Sequence, residues 1–479
     1  MAKEENMHVV MLPWSAFGHL IPFLHLSIAL AKAGIRVSFV STPSNLRRLP
    51  THLIPPHLLA PLNLVELQLP PVDGLPTGGE ATVDISMDQI QYLKTAYDLL
   101  KPQLKKFISQ DTPDWIIQDF VPCWTDEISR ELNLNIPLIL FSAYSATLFA
   151  FLGPPEYLTS DAKTKYWPSP ETLTSPPEWV TFPSTVAFRP FEAGPIHASS
   201  FGRNASGVTD VERFMIAVIS CKAIAIRSCK EYEGDYLDLL EKVSRRPVFP
   251  VGLLPPVAPA PPEKESFKGG GEEWLTIFKW LDQQPPKSIV FVGFGSECKL
   301  SREQVFEIAH GLQISGLSFL WALRKPTWAN DDDDALPPEF RARTEGRGVV
   351  CMGWAPQTEI LAHPSVGGSL FHSGWGSIIE TLQFGHTIVV LPIVADQGLN
   401  ARLLVEKGLA VEVERGEDGS FDRKGIAEAL RKAMVDEEGE GLRLRARGMR
   451  NIFGDHRLHQ AYMDGFIQYL KNGPKAYTP

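Results

Sequence analysis

The sequence has little that would tie it to a membrane, to an oxidising compartment or to nucleic acid. Across its 479 residues there is no apolar run of about 18 residues or more, which a membrane-spanning helix requires. The opening Met1 to Asn6 is short and polar rather than signal-like, so a cytoplasmic location is expected. Cysteine is scarce. Cys123, Cys221, Cys229, Cys298 and Cys351 make an odd number without CxxC or Cys/His ligand spacing, which argues against a disulfide framework and against structural zinc. Positive charge is also short: the net charge is -10, so the overall field does not attract phosphate, and generic nucleic-acid binding is disfavoured. Any phosphate must be held by local donors. The full GxGxxG fingerprint and the Walker Lys-Ser/Thr ending are missing too, which removes the basis for a dinucleotide or ATP site. No convincing paired-acid arrangement for glycosidic cleavage is present.

What is present is material for two cores. A chain of this length, 44% apolar, exceeds the size at which one core keeps growing, so two domains are expected. Met7 to Pro13 is a short apolar run of strand type. The segment after it carries Leu24, Ile28 and Ala31 at helical spacing and ends at Gly34, and Ile35 to Val40 reads as the next strand. Pro113 to Phe120 and Ile136 to Ala143 add buried-strand candidates. Continuous apolar runs separated by helical stretches predict parallel sheets covered on both faces. After the proline-rich Leu253 to Glu263 a second series begins: Ser288 to Gly295, Ser318 to Arg324, Gly348 to Trp354, Gly367 to His372 and Thr387 to Ile393. The expected division is an N-terminal domain over 1–252, a linker over 253–272, a second α/β domain over 273–446 and a helical segment over 447–479 that packs back on the first domain. Parallel sheets present loops and helix N-termini at their carboxyl edges, so the active site is expected in a cleft there. Asp331 to Asp334 reads as a solvated loop, and Gly416 to Ser420 as a turn.

Several residues carry chemistry, each with a plainer alternative. His19 follows the first strand at a loop-to-helix transition, where a neutral imidazole could take a proton from a hydroxyl; for a lone histidine a structural or incidental role is the commoner reading. Asp119 ends another strand and could orient that imidazole, or serve as a cap or salt-bridge partner. In Val292 to Glu297, Gly293 and Gly295 let backbone approach a phosphate and Ser296 offers a hydroxyl, although an ordinary strand-to-helix turn has the same look. Phe371 to Glu380 is richer. Gly374 and Gly376 leave room for a ligand, His372 and Ser377 are polar, and a helix begins nearby; no arginine or lysine is present, so neutral donors would hold a diphosphate. Trp354 could stack on a base or simply pack. Glu380 has acceptors for two sugar hydroxyls, and Asp396 with Gln397 could read several more; surface roles are the alternatives.

Taken together, Trp354 to Gln397 (WAPQTEILAHPSVGGSLFHSGWGSIIETLQFGHTIVVLPIVADQ) resembles the donor-binding signature of plant family 1 UDP-dependent glycosyltransferases. The WAPQ opening, the HxGW centre, the downstream glutamate and the DQ ending are jointly specific, and the likeness extends through PWSAFGHLIPFLHLS, PDWIIQD and FVGFGSE. The resemblance implies the GT-B fold, two facing Rossmann-like domains with a cleft between them. It implies that Trp354 stacks on uracil with Ala355 and Gln357 near the base, that Glu380 binds ribose, and that Ser296, His372 and Ser377 approach the diphosphate, with Gly374, Trp375 and Gly376 in the same element. Asp396 and Gln397 would bind the donor sugar, and His19 and Asp119 match the family's catalytic pair.

The implied reaction is direct, inverting transfer without a cofactor, a metal or a covalent protein intermediate. The centre departs from the common HCGWNS pattern: Ser373 replaces cysteine and Gly376 replaces asparagine, which leaves the donor sugar less defined than UDP itself. UDP-glucose leads, with UDP-rhamnose as the alternative. FPSTVAFRP, VGLLPP, LRKPT and ADQGLNARLL resemble the branch that extends flavonoid or terpenoid glycosides, so the acceptor is expected to be an apolar small molecule already glycosylated. An aglycone glucosyltransferase and a catalytically silent binding protein are the other readings. Phe17, Phe120, Trp124, Phe141 and Tyr144 are candidates for an apolar acceptor wall or for core. A monomer, with neither nucleic acid nor a membrane span, is expected.

Overall fold

A computed structural model describes residues 7–159, 163–256 and 271–473. They form two compact units. The first comprises the described residues through Pro183, Gly194–Leu254 and those from Arg457 onward; the second comprises Ser184–Ala193 and the described residues of Pro255–His456. Most of the linker expected at 253–272 lies outside the described residues.

The first unit is built on seven parallel strands: β1 (His8–Leu12), β2 (Arg36–Ser41), β3 (Leu62–Glu66), β4 (Trp115–Gln118), β5 (Leu138–Ser142), β6 (Ala223–Ile226) and β7 (Val248–Pro250). Their order is β3-β2-β1-β4-β5-β6-β7. β1, β4 and β5 are buried throughout, which is why they read as unbroken apolar runs rather than alternating ones. The helix Phe17–Lys32 returns from β1 to β2 and packs Leu20, Phe23, Leu24 and Leu30 against the sheet; Gly34, at φ 81°, allows the reversal that follows. The C-terminal helix His456–Asn472 belongs to this unit. Met463, Phe466 and Leu470 join its core, and the Trp115 indole donates to the Leu470 carbonyl at 3.1 Å.

The second unit has six parallel strands: β8 (Ile289–Gly293), β9 (Ser318–Leu323), β10 (Gly348–Met352), β11 (Val366–Phe371), β12 (Thr387–Val390) and β13 (Ala410–Glu412). Their order is β10-β9-β8-β11-β12-β13. Helices cover both faces. Arg302–Ser315 and Arg423–Met434 share one core with Val292, Trp321 and Leu370, while Gly271–Asp282 contributes Trp274, Phe278 and Leu281 to a second core on the other face with Phe291 and Leu320. Asp331 to Asp334 lies in turns, with ion pairs from Arg302, Lys325 and Arg341. Gly416 to Ser420 is a turn closed by the Gly416 N–H on the Ser420 carbonyl at 2.8 Å.

Four strands have no counterpart in the sequence reading. β3 sits at the sheet edge and is half-exposed, β6 is the small-residue run AIAI, and β7 and β13 are three residues each. β3, β7 and β13 are too short or too exposed for periodicity to reveal them, and β6, though wholly apolar, is four residues between Lys222 and Arg227.

Candidate active site

In each sheet the strand order reverses once, between β1 and β4 in the first and between β8 and β11 in the second. At such a point adjacent connections leave in opposite directions and open a crevice at the carboxyl ends of the strands. His19 and Asp119 in the first unit, and Ser296 and His372 in the second, follow the strands that flank it.

In the first unit, His19 follows β1 and Asp119 directly follows β4, and the two strands pair Leu12 with Gln118. Register therefore brings together residues a hundred positions apart. His19 Nδ1 lies 2.7 Å from Asp119 Oδ2, and the two residues are 6% and 1% exposed. The carboxylate is itself held. Its Oδ2 accepts from the Trp14 N–H at 3.2 Å, its Oδ1 accepts from the Phe120 N–H at 2.7 Å, and the Asp119 N–H donates to Leu12. An acceptor-only carboxylate at Nδ1 selects the tautomer with its proton there, which makes Nε2 the basic nitrogen and stabilises the ring once protonated. Tyr144 stands edge-on to the imidazole at 4.8 Å between centroids, and Phe120 is at 6.3 Å; both are half-buried. Phe17 is also half-buried, beneath the Arg48 guanidinium at 5.0 Å. Phe141 is core, packed on Phe23, while Trp124 is buried and donates its indole N–H to Asp98 at 2.9 Å.

In the second unit, Ser296 follows β8, Trp354 follows β10, His372 follows β11 and Asp396 follows β12. Because the sheet is wholly parallel, all four loops leave from one edge. Trp354 is 72% exposed, uncommon for so large an apolar ring, on a loop turned by Gly353 at φ 97°. Gln357 opens the helix Gln357–Ala362 and donates through Nε2 to Glu380 Oε2 at 2.5 Å, so the base and ribose candidates are joined. Ala355 packs at the edge of the core that contains Cys351 and Ile360.

His372 is gripped by two glycines, Gly295 from across the switch point and Gly374 from its own loop. A Cβ on Gly295, whose φ is 67°, would lie 2.9 Å from His372 Cε1, and one on Gly374 would lie 2.5 Å from Nε2. Nδ1 of His372 is buried without a hydrogen-bond partner among the described residues, and burial pushes its pKa down to about 4. The ring is therefore neutral near pH 7. The helix Trp375–Leu382 starts immediately after Gly374, earlier than the stretch IIETL, so Gly376 and Ser377 lie in its first turn, where backbone N–H groups lack intrahelical partners. Trp375 turns inward and is buried against Phe453. Ser296 lies beside Glu297, with its carbonyl accepting from Arg324 at 2.5 Å.

Asp396 and Gln397 begin the helix Gln397–Glu406 and are both buried. Gln397 Oε1 accepts from the N–H groups of Ile393 and Val394, each at 2.9 Å, so its amide oxygen is committed to its own loop. Two further residues shape this corner. Asn400 donates to Asp396 Oδ2 at 2.7 Å and to the Ser373 carbonyl at 3.2 Å, and the fully buried Ser373, at φ 61°, donates through Oγ to the Gln397 carbonyl at 2.7 Å. Sequence reasoning missed Asn400; its place four residues after Asp396, one helical turn away, is the available signal. Among the described residues no group of His, Cys, Asp and Glu could hold a metal ion, and no helix is long and apolar enough to cross a membrane.

Comparison with known proteins identifies the family. Residues 277–441 match the family described as UDP-glucoronosyl and UDP-glucosyl transferase, and residues 5–109 match the N-terminal domain of glycosyltransferases. UDP-glycosyltransferase 91C1 of Arabidopsis thaliana is 40% identical over 98% of both chains. Soyasaponin III rhamnosyltransferase of Glycine max is 39% identical over 98% of this chain and 96% of its own. The crystal structure of Glycyrrhiza uralensis UGT73P12 with glycyrrhetinic acid 3-O-monoglucuronide superimposes with a TM-score of 0.79 at 22% identity, covering 98% of this chain and 96% of that one, which places the fold as GT-B. The chain thus belongs to the plant family 1 UDP-dependent glycosyltransferases, and it is an enzyme that takes its sugar from a UDP-sugar donor.

Proposed function

We propose that this enzyme transfers glucose from UDP-glucose, with inversion, to a hydroxyl of a small plant glycoside of flavonoid or terpenoid type. The observation that carries the chemistry is the buried 2.7 Å contact between His19 Nδ1 and Asp119 Oδ2. In this reading His19 Nε2 takes the proton of the acceptor hydroxyl as its oxygen attacks the anomeric carbon. The bond from that carbon to the UDP oxygen breaks, and Asp119 stabilises the imidazolium until the proton leaves. Trp354 stacks on uracil, Gln357 and Glu380 hold base and ribose, and Ser296, His372 and Ser377 receive the diphosphate. A neutral His372 and a helix N-terminus suit a charged leaving group that must later depart. Asp396 and Gln397 hold the sugar. The first unit takes the acceptor and the second the donor, in a cytoplasmic monomer.

A rhamnosyl donor is the second reading, favoured by the 39% identity to the soybean rhamnosyltransferase; Gly376, where asparagine is usual, leaves the sugar open. A cross of UDP-glucose, UDP-rhamnose, UDP-galactose and UDP-xylose against flavonoid and terpenoid aglycones and their monoglycosides, with product mass and linkage resolved, separates the readings. Transfer of glucose to monoglycosides is expected. Preference for UDP-rhamnose would replace the donor, and exclusive transfer to aglycones would overturn the acceptor class.

A further inference from the structure

Residues 184–193 differ from the chain on either side of them: their neighbours in sequence belong to the first unit, and they belong to the second. They lie along the helix Gln397–Glu406. At its far end, Glu406 Oε2 accepts from Ser184 Oγ at 3.0 Å, from the Thr185 N–H at 2.5 Å and from Thr185 Oγ1 at 3.0 Å. In its middle, Arg402, only 5% exposed, pairs through Nη2 with Glu192 Oε2 at 2.8 Å and through Nη1 with Glu412 Oε1 at 2.5 Å. In its first turn, Gly398 has no space for a side chain. A Cβ there would lie 2.8 Å from Glu192 Oε2 and 2.9 Å from Phe188 Cδ1. Glu192 Oε2 also accepts from the Arg189 N–H at 2.7 Å, which fixes the carboxylate on the segment that bears it.

An exposed ion pair would do little to a helix. This one is buried: loss of Arg402 would leave two carboxylates uncompensated in a low-dielectric setting, and loss of Glu192 would leave Arg402 with Glu412 alone and free the helix from residues 184–193. The grip also has a direction. Arg402 and Gly398 sit on the helix that begins with Gln397, directly after Asp396, whereas Trp354, Gln357 and Glu380 stand on other elements, and His372 meets this helix through its neighbour Ser373, bonded to the Gln397 carbonyl and to Asn400. We propose that Glu192 is a positioning residue for the donor sugar: through Arg402 and its contact with Gly398, it sets the axial position of this helix and with it Asp396 and Gln397. The inference rests on the reading that those two residues hold the sugar. It requires sugar recognition and UDP binding to separate when the grip is loosened.

Glu192→Gln in the full chain tests it, because the side chain keeps its shape and loses its charge. The measurements are the Kd of UDP by calorimetry, and kcat and KM with the two best donors of the panel above. UDP affinity is expected to stay within about twofold, while kcat/KM for the best donor falls about tenfold and the preference between the two donors narrows. Unchanged donor kinetics, or a parallel loss of UDP affinity, would overturn the proposal. Asp396→Ala probes the underlying reading separately. If it weakens sugar transfer at constant UDP affinity and Glu192→Gln does not, the positioning role fails and the reading stands; if Asp396→Ala changes neither, both fail. Should Glu192→Gln not fold, Glu406→Gln at the exposed end of the helix removes the other anchor. About a threefold loss of donor kcat/KM at unchanged UDP affinity is then expected, and no change overturns the proposal.

Discussion

Gly295 and His372, on connections that leave neighbouring strands, touch where a side chain on the glycine would have to be: its Cβ would stand 2.9 Å from His372 Cε1. Its φ of 67° adds a backbone penalty for any other residue. Gly295→Ala is expected to destabilise the fold by about 1–3 kcal/mol and to weaken UDP binding by displacing the imidazole. Urea unfolding and UDP calorimetry check both. Unaltered UDP affinity would separate His372 from the diphosphate.

The proposed catalytic pair, His19 and Asp119, makes a different prediction. Both partners lie in the first unit, so His19→Ala should leave UDP affinity unchanged while lowering kcat by about 10²–10⁴-fold. Asp119→Asn keeps the shape but can present an N–H to Nδ1, favouring the wrong tautomer. It should lower kcat with little change in the KM of the donor. Undiminished transfer by His19→Ala would remove the proposed base.

For Trp354 the expected effect is on ligand and not on fold. A ring 72% exposed contributes little to the core. Trp354→Ala should therefore leave the thermal midpoint nearly unchanged, and the lost stacking should cost about 1–3 kcal/mol in UDP binding. A fall in the midpoint with intact UDP affinity would make the tryptophan structural.

Acid should weaken the fold through buried imidazoles. His372 and His25 have pKa values lowered from 6.5 to about 4, in both cases chiefly by burial. A base whose folded pKa lies below its unfolded value binds fewer protons when folded, so its contribution is fully present above about pH 6.5 and is lost as pH falls toward about 4. Unfolding free energy should decline across that window. His372→Gln should flatten part of the decline, as read by urea unfolding at pH 7 and pH 5. An identical slope in the variant would show that His372 is not buried as a neutral ring.

How much of this was legible in the sequence depended on burial. Strands β1, β4, β5, β8 and β12 are covered on both faces, and their apolar runs announce them. β3 at an edge, and β13 at three residues, give no such signal. Loop chemistry was similarly uneven. The residue types at Trp354, Glu380 and Asp396 were suggestive, but that Gln357 bonds Glu380, and that the Gln397 amide oxygen is committed to its own loop, are facts of side-chain direction.

Alone, the sequence determined the two parallel α/β series and the set of side chains able to meet a nucleotide and a hydroxyl, because apolar periodicity and residue chemistry are local properties. Only the tertiary structure decided that His19 meets Asp119, that two glycines enclose His372, and that residues 184–193 join the second unit. Those outcomes depend on strand order, register and the burial of charge, which bring together positions that no spacing along the chain connects.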